Sequence, residues 1–248
     1  MSGDIAIAGT LHTPDCGGVP GSVTSASCVS EAVVVPPPCA CEAADLIPID
    51  EIVSFYAMPL NNDNAAVMLA SDVFSTTGGP RHLDLPCGFY YLDEIQGAVT
   101  IVAHGRTALF VGGDIDASSS MTFTVDPGAT LDIYVAGTLR ATSSLTVGSP
   151  AWPRNLRVYV GGVDDSFTPG RSIHLESDTD LAGLLYAPYG AVVSSSSLEM
   201  YGAIFAGRYH NSSSTFIHYD RATTDLGDAC MDVPPPGCTS CRDCGNQA

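Results

Sequence analysis

Five times between residues 99 and 221 the chain runs through an aliphatic or aromatic stretch that closes on small residues. The anchors are Leu109-Phe110-Val111-Gly112-Gly113, Ile133-Tyr134-Val135-Ala136-Gly137, Val158-Tyr159-Val160-Gly161-Gly162, Leu184-Leu185-Tyr186-Ala187-Pro188 and Ala203-Ile204-Phe205-Ala206-Gly207, which begin 24, 25, 26 and 19 residues apart. A serine-rich bend follows each anchor, as at Ser118 to Ser120, Ser143-Ser144 and Ser194 to Ser197. A second short strand follows the bend, for example Met121 to Val125, Leu145 to Val147, Leu198 to Met200 and Phe216 to His218. A recurring unit of this length is a structural repeat that cannot bury its apolar face alone and must stack on its neighbours.

Short strands closed by Gly and Ser turns at this period predict an all-β, right-handed parallel β-helix, or β-solenoid, in which equivalent residues form columns spaced roughly 4.8 Å apart. Alternate residues of a strand point in and out. Two positions before the last small residue lie Val111, Val135, Val160, Tyr186 and Phe205, read as an inward core ladder. One step earlier lie Phe110, Tyr134, Tyr159, Leu185 and Ile204, read as the opposite face. Beyond the anchors, Asp116, Arg140 and Asp165 give a column of alternating charge, which favours this register over one with like charges adjacent.

Gly3 to Leu11 reads like the anchor Ile133 to Leu139, which places a lone coil at residues 1–11. Residues 12–95 read as an insert, 96–222 as the solenoid repeats, and 223–248 as an irregular tail rich in Cys and Pro. Within the insert, Leu46, Ile49, Ile52, Val53 and Tyr56 fall on one helical face, with Pro48 and acidic residues near the start. This short amphipathic helix is expected to cover a sheet edge or to pack along a flank.

Composition narrows the function classes. The 248 residues hold 25 Gly and 17 Pro, which suits a turn-dense β architecture, and 45% are hydrophobic, enough for a large core. All nine basic residues are arginines, against 27 Asp and Glu, for a net charge of −18. Nucleic acid is thereby excluded as a main partner, since phosphate neutralisation needs a basic patch. With no lysine, a Walker-type phosphate loop, a Schiff base and a lysine cross-link are also excluded. No apolar stretch reaches the length of a membrane span. Nine cysteines, Cys16, Cys28, Cys39, Cys41, Cys87, Cys230, Cys238, Cys241 and Cys244, point to disulfides in an oxidising compartment, extracellular or at the cell surface. The odd count leaves an intermolecular bridge, a lone thiol or a partner elsewhere in a longer chain. Any export signal or anchor is expected outside these residues.

Leu85-Pro86-Cys87-Gly88-Phe89-Tyr90-Tyr91-Leu92-Asp93, the repeated anchors, Met200 to Phe205 and Ile217-His218-Tyr219-Asp220-Arg221 together resemble an uncharacterised secreted β-helix domain. That domain occurs in bacterial surface proteins, in pilus-assembly-associated proteins and in exported proteins of myxobacterial type. The resemblance covers about residues 39–222 and implies a right-handed β-helix outside the cytoplasm, without catalytic residues to carry over. Bactofilins share the stacking logic with shorter coils, and by analogy suggest end-to-end polymerisation.

Several clusters are candidates for chemistry. Cys230, Cys238, Cys241 and Cys244 have spacings open to zinc, to disulfides or to a bridge between subunits, with disulfides favoured because paired C-x-x-C knuckles are missing. Glu176, Asp178 and Asp180 alternate, so on one strand they would offer oxygens to calcium on one face, and in the register above Asp114, Asp116, Asp164 and Asp165 would also cluster. No other cofactor is implied. Glycan-active β-helices need paired carboxylates, or a base beside a cation, in a groove. The candidates are Asp116 with Asp165 flanking Arg140, and His218 with Asp220. No G-x-S-x-G or H-E-x-x-H occurs. The reading is therefore a secreted or cell-surface structural module, non-catalytic, that self-associates through its solenoid ends or adheres to an extracellular glycan or surface protein. The alternative is a glycan-binding or polysaccharide-degrading β-helix.

Overall fold

The computed structural model describes residues 5–32, 46–162 and 173–223. The chain divides into two compact units, Met1–Leu46 and Ile47–Ala248. Cys39, Cys41, Cys230, Cys238, Cys241, Cys244, Asp164, Asp165 and nearly all of the tail lie outside the described residues.

In the first unit, β1 (Ile5–Thr13) pairs in parallel with β2 (Val23–Ser30). Between them a short turn carries Cys16, which is bonded to Cys28. The N-terminal coil is thus not confined to residues 1–11, because its strand runs to Thr13 and takes its partner from the segment read as insert.

The second unit is a solenoid of parallel strands with three faces. The first coil holds β3 (Arg81–Leu85), β4 (Gly88–Leu92) and β5 (Ile95–Gln96). The second holds β6 (Val99–Ala103), β7 (Arg106–Val111) and β8 (Ile115–Ala117). The third holds β9 (Met121–Val125), β10 (Thr130–Val135) and β11 (Leu139–Ala141), and the fourth β12 (Leu145–Val147), β13 (Leu156–Val160) and β14 (Ile173–Leu175). Two long bent strands, β15 (Thr179–Ser194) and β16 (Leu198–Asn211), form a coil each, and β17 (Thr215–Tyr219) starts the next. The repeats begin at Arg81 rather than residue 96. The first coil escapes an anchor search because Tyr90-Tyr91-Leu92 is followed by Asp93 and Glu94, not by small residues.

Register follows from the period of two. Leu92, Val111, Val135 and Val160 occupy one column and are each fully buried, as are Leu109 and Ile133 two residues before. Tyr186 and Phe205 do not continue this ladder. Tyr186 pairs with Tyr159 and Phe205 with Tyr186, on the outer face, and it is Ala187 that is buried. The anchors of the last two coils are displaced by one residue, and a displacement of one exchanges the faces.

The small residues at the anchor ends mark a corner where coils touch backbone to backbone. The N–H of Gly137 donates to the Gly113 carbonyl at 3.1 Å, and that of Gly162 to Gly137 at 3.2 Å. A Cβ on Gly137 would lie 2.6 Å from the Gly113 oxygen. Gly202, at φ +134°, would bring a Cβ against the Gly183 carbonyl.

The one α-helix among the described residues, α1 (Ile49–Tyr56), has Asp50 and Glu51 in its first turn, where the helix dipole favours acids. Ile49 and Val53 are buried against Ala108, Phe110 and Tyr159, so the helix packs along a flank of the solenoid. Gly137→Ala is expected to force the third coil away from the second and to destabilise the fold by about 1–3 kcal/mol, as overpacking does. Urea unfolding measures this, and an unchanged midpoint would contradict the corner geometry.

Candidate functional site

Polar side chains on the solenoid surface mostly bond from coil to coil. Arg157 on β13 forms a bidentate pair with Asp132 on β10, with Nη2 at 2.7 Å from Oδ2. Burial pushes the Asp132 carboxyl above its ordinary range, and the Arg157 charge offsets this only in part. Ser144 donates to Ser120 at 3.2 Å, and Asp114 accepts from both the N–H and the hydroxyl of Thr138. Next to Asp132, the rings of Phe110, Tyr134 and Tyr159 stack at centroid distances of 5.2 and 4.5 Å beneath α1. Tyr56 of the helix lies 3.9 Å from the Phe110 ring. Burial raises the phenol pKa of Tyr134 and of Tyr159. The helix thus occupies the stretch of aromatic column that a glycan platform would need.

The expected calcium ligands do not converge. Glu176 and Asp178 lie in the bend between β14 and β15, and only Asp180 is in a strand. Glu176 pairs with Arg140 at 3.0 Å, and Asp178 accepts from Ser196. A bend breaks the alternation that would have put the three carboxylates on one face. Among the described residues no group of three or more His, Cys, Asp or Glu is arranged to hold a metal.

Of the catalytic candidates, Asp165 lies outside the described residues, and Arg140, His218 and Asp220 take partners of their own. Arg140 is in register with Asp116 and with His174, but its guanidinium turns to Glu176. Asp116 Oδ1 is buried without a hydrogen-bond partner among the described residues. His218 lies 3.3 Å from Glu199 and stacks on Tyr201, whereas Asp220 accepts from the Ala222 N–H in the following turn. Cys87 is half-buried in the bend before β4.

A cluster that sequence reasoning missed spans the first three coils. His104 bonds Asp84 through Nε2 at 2.7 Å and Asp126 through Nδ1 at 2.6 Å, and His82 reaches the same Asp84 oxygen at 3.1 Å. The Asp126 and Asp84 hydrogen bonds raise the His104 pKa above its ordinary 6.5, while His104 and His82 lower that of Asp84. The cluster is exposed. An open hollow of about 230 Å³ on the flank is lined by Pro48, Ile49, Asp50, Glu51, Gly161 and Tyr189.

The two ends of the solenoid differ most. At the first coil, the segment 61–78 supplies the missing neighbour of β4 and β5. Asp63 exchanges two hydrogen bonds with the Phe89 backbone, one through its own N–H and one through Oδ2. The Asn64 amide does the same for Tyr91, donating to its carbonyl at 2.7 Å and accepting from its N–H at 2.9 Å. The Asp93 N–H donates to the Ser71 carbonyl, and the Gln96 N–H to that of Phe74. Phe74 closes the core beneath, with Arg81 over its ring. At the last coil, β17 pairs among the described residues with β16 alone. Ile217 and Tyr209 are the final rungs of two inward columns, in register with the buried Met200 and Val192, yet they are 51% and 42% exposed. Phe216 and Tyr219 are exposed beside them.

A family model described as a domain of unknown function, DUF7305, matches residues 48–226. The chain belongs to the DUF7305 family. The match opens at the start of α1, so the helix, the cap and the solenoid form the DUF7305 domain, and β1 and β2 lie outside it. Residues 48–95 are therefore part of the domain and not an insertion into it. No curated protein and no solved structure matches the chain significantly.

The His104 geometry has a pH signature. A raised histidine pKa contributes stability fully below about 6.5, lost as pH rises through the folded value. A lowered Asp84 pKa contributes above its ordinary 3.8, lost as pH falls. The bridge is thus strongest between these limits. NMR titration should find His104 titrating above 6.5, and Asp84→Asn should bring it down. A His104 titration unmoved by Asp84→Asn would contradict the bridge.

Proposed function

We propose that the protein is an exported, non-catalytic structural module whose domain is a right-handed β-solenoid acting by self-assembly. The observation that carries this reading is the contrast between the ends: at one, β4 and β5 are closed by dedicated side-chain and backbone pairing and the edge strand β3 carries Arg81, His82 and Asp84, while the other presents an edge strand without ionised carboxylates and the last rungs of the core. Exposed edges of this kind are templates for another chain, and proteins that do not use them blunt them with charge, proline or a covering element. β17, Thr-Phe-Ile-His-Tyr, carries no proline and no carboxylate.

Supporting features point the same way. Surface acids and arginines pair between coils and so reinforce stacking. The Cys16–Cys28 bond suits an oxidising compartment, and with it a location outside the cytoplasm. The right-handed sense follows from the near-universal hand of crossovers between parallel strands. Closure of the first coil alters one expectation, since a filament built by placing one domain's last coil on the next domain's β4 would meet the cap.

Electron microscopy and sedimentation of the full chain over a range of concentration test this reading. Concentration-dependent ordered assemblies are expected. A strictly monomeric protein that binds or cleaves a polysaccharide would overturn it in favour of the glycan reading.

A further inference from the structure

The first unit has the form of a solenoid rung without a neighbour. In β1 and β2, paired residues are 18 apart at Ile5 and Val23 and 17 apart at Leu11 and Cys28. The same advance separates Leu198 from Thr215, and Ala191 from Arg208, in the last coils of the solenoid. The middle coils advance by 24 between Val111 and Val135 and by 25 between Val135 and Val160. The N-terminal rung therefore shares its pitch with the terminal coils of the solenoid, where Arg81 and Val99 are also 18 apart, and not with the middle ones; of the two ends, the first is capped along β4 and β5. No residue from 9 to 32 is buried, and Ile7, Leu11 and Val23 are half-buried at most. Two parallel strands do not hold together well in isolation. With one side of β1 taken by β2, its other side has no strand partner among the described residues.

Charge removes the obstacle that a net −18 would otherwise pose to contact between copies. Residues 5–32 carry only Asp15 and Glu31, and residues 198–223 set Glu199 and Asp220 against Arg208 and Arg221. These are −2 and 0 of the total, so the acidic charge lies mainly elsewhere and like-charge repulsion across such a joint is small.

We propose that β1 of one copy adds in parallel to β17 of a second copy, joining the chains head to tail by strand addition. The order of strands then continues from β16 and β17 of one copy to β1 and β2 of the next. Ile217 and Tyr209 gain the apolar rung that the single chain lacks, and β1 gains its second neighbour. The contact is heterologous, so it propagates rather than closing on a pair. This inference rests on the reading of the protein as a self-assembling module and specifies the two surfaces that meet.

The test is a complementation between two full-length variants. Ile217→Asp places a carboxylate in the seam at the tail, and Ile7→Asp places one at the head, with Leu11→Asp as a second head variant should the first fail to keep the far-UV circular dichroism of the wild type. Each variant alone is expected to lose assembly by roughly tenfold or more, because an unpaired carboxylate is costly to bury. A mixture of head and tail variants is expected to form one-to-one dimers that stop there, since a single intact joint remains. If the wild type assembles and the head variants assemble equally well, head-to-tail addition is wrong while self-assembly stands. If the wild type stays monomeric at every concentration, both are wrong.

Discussion

Parallel pairing in register, repeated coil upon coil, is the constraint from which the remaining features of the DUF7305 domain follow. A parallel strand cannot return to its neighbour by a tight hairpin, so each coil must travel around three faces before it meets itself. Every face then has to keep its inward alternation in step with the coil below, which is why Val111, Val135 and Val160 superpose. The corner after the second face has to pass close to the previous coil, and Gly113, Gly137 and Gly162 fill it for that reason. Outside, the same registration sets aromatic ring on aromatic ring and carboxylate against arginine, as in Tyr134 on Tyr159 and Asp132 on Arg157. Stacked rings add about 0.5–1.5 kcal/mol a pair beyond their burial.

A stack has two ends, and the backbone groups there need partners as much as those within. The first coil meets this need with residues that do not form a strand. Asn64 substitutes for a strand residue because its amide offers one acceptor and donors in the geometry of a peptide group. Phe74 takes the place of a core rung. The last coil has no counterpart among the described residues, and its final inward side chains remain half exposed. Direction is thereby built into the domain.

Much of this architecture was legible in the sequence, because a solenoid writes its geometry locally. The period, the small corner residues, the inward valines and the amphipathic face of α1 each show in a window of a few residues. The failures have equally specific causes. Tyr186 and Phe205 face outward because the small residues begin one position sooner in their coils: Ala187 stands in the buried column of Val160, and Pro188 takes the place of Gly161. The coil at residues 81–96 lacks the small pair and so looked like insert. Glu176, Asp178 and Asp180 alternate in sequence, but a bend removes the face they were to share. Nothing local marks Asp63 and Asn64, since their partners Phe89 and Tyr91 are 26 and 27 residues away. His104 and its two aspartates are equally non-local. Of the ends, only the apolar character of Phe216 and Ile217 was visible in advance.

The central claim is that one end of the domain is closed and the other open, and hydrogen–deuterium exchange of the dilute monomer addresses it most directly. The account predicts that the amides of Phe89, Tyr91, Asp93 and Gln96, on the capped edge, exchange as slowly as those of inner strands such as β10. It predicts that amides of β17 exchange orders of magnitude faster, with free energies of opening near zero at an unpaired edge. Equal protection of β17 and β4 would contradict the account, because it would show a second cap and remove the directionality on which the proposed assembly depends.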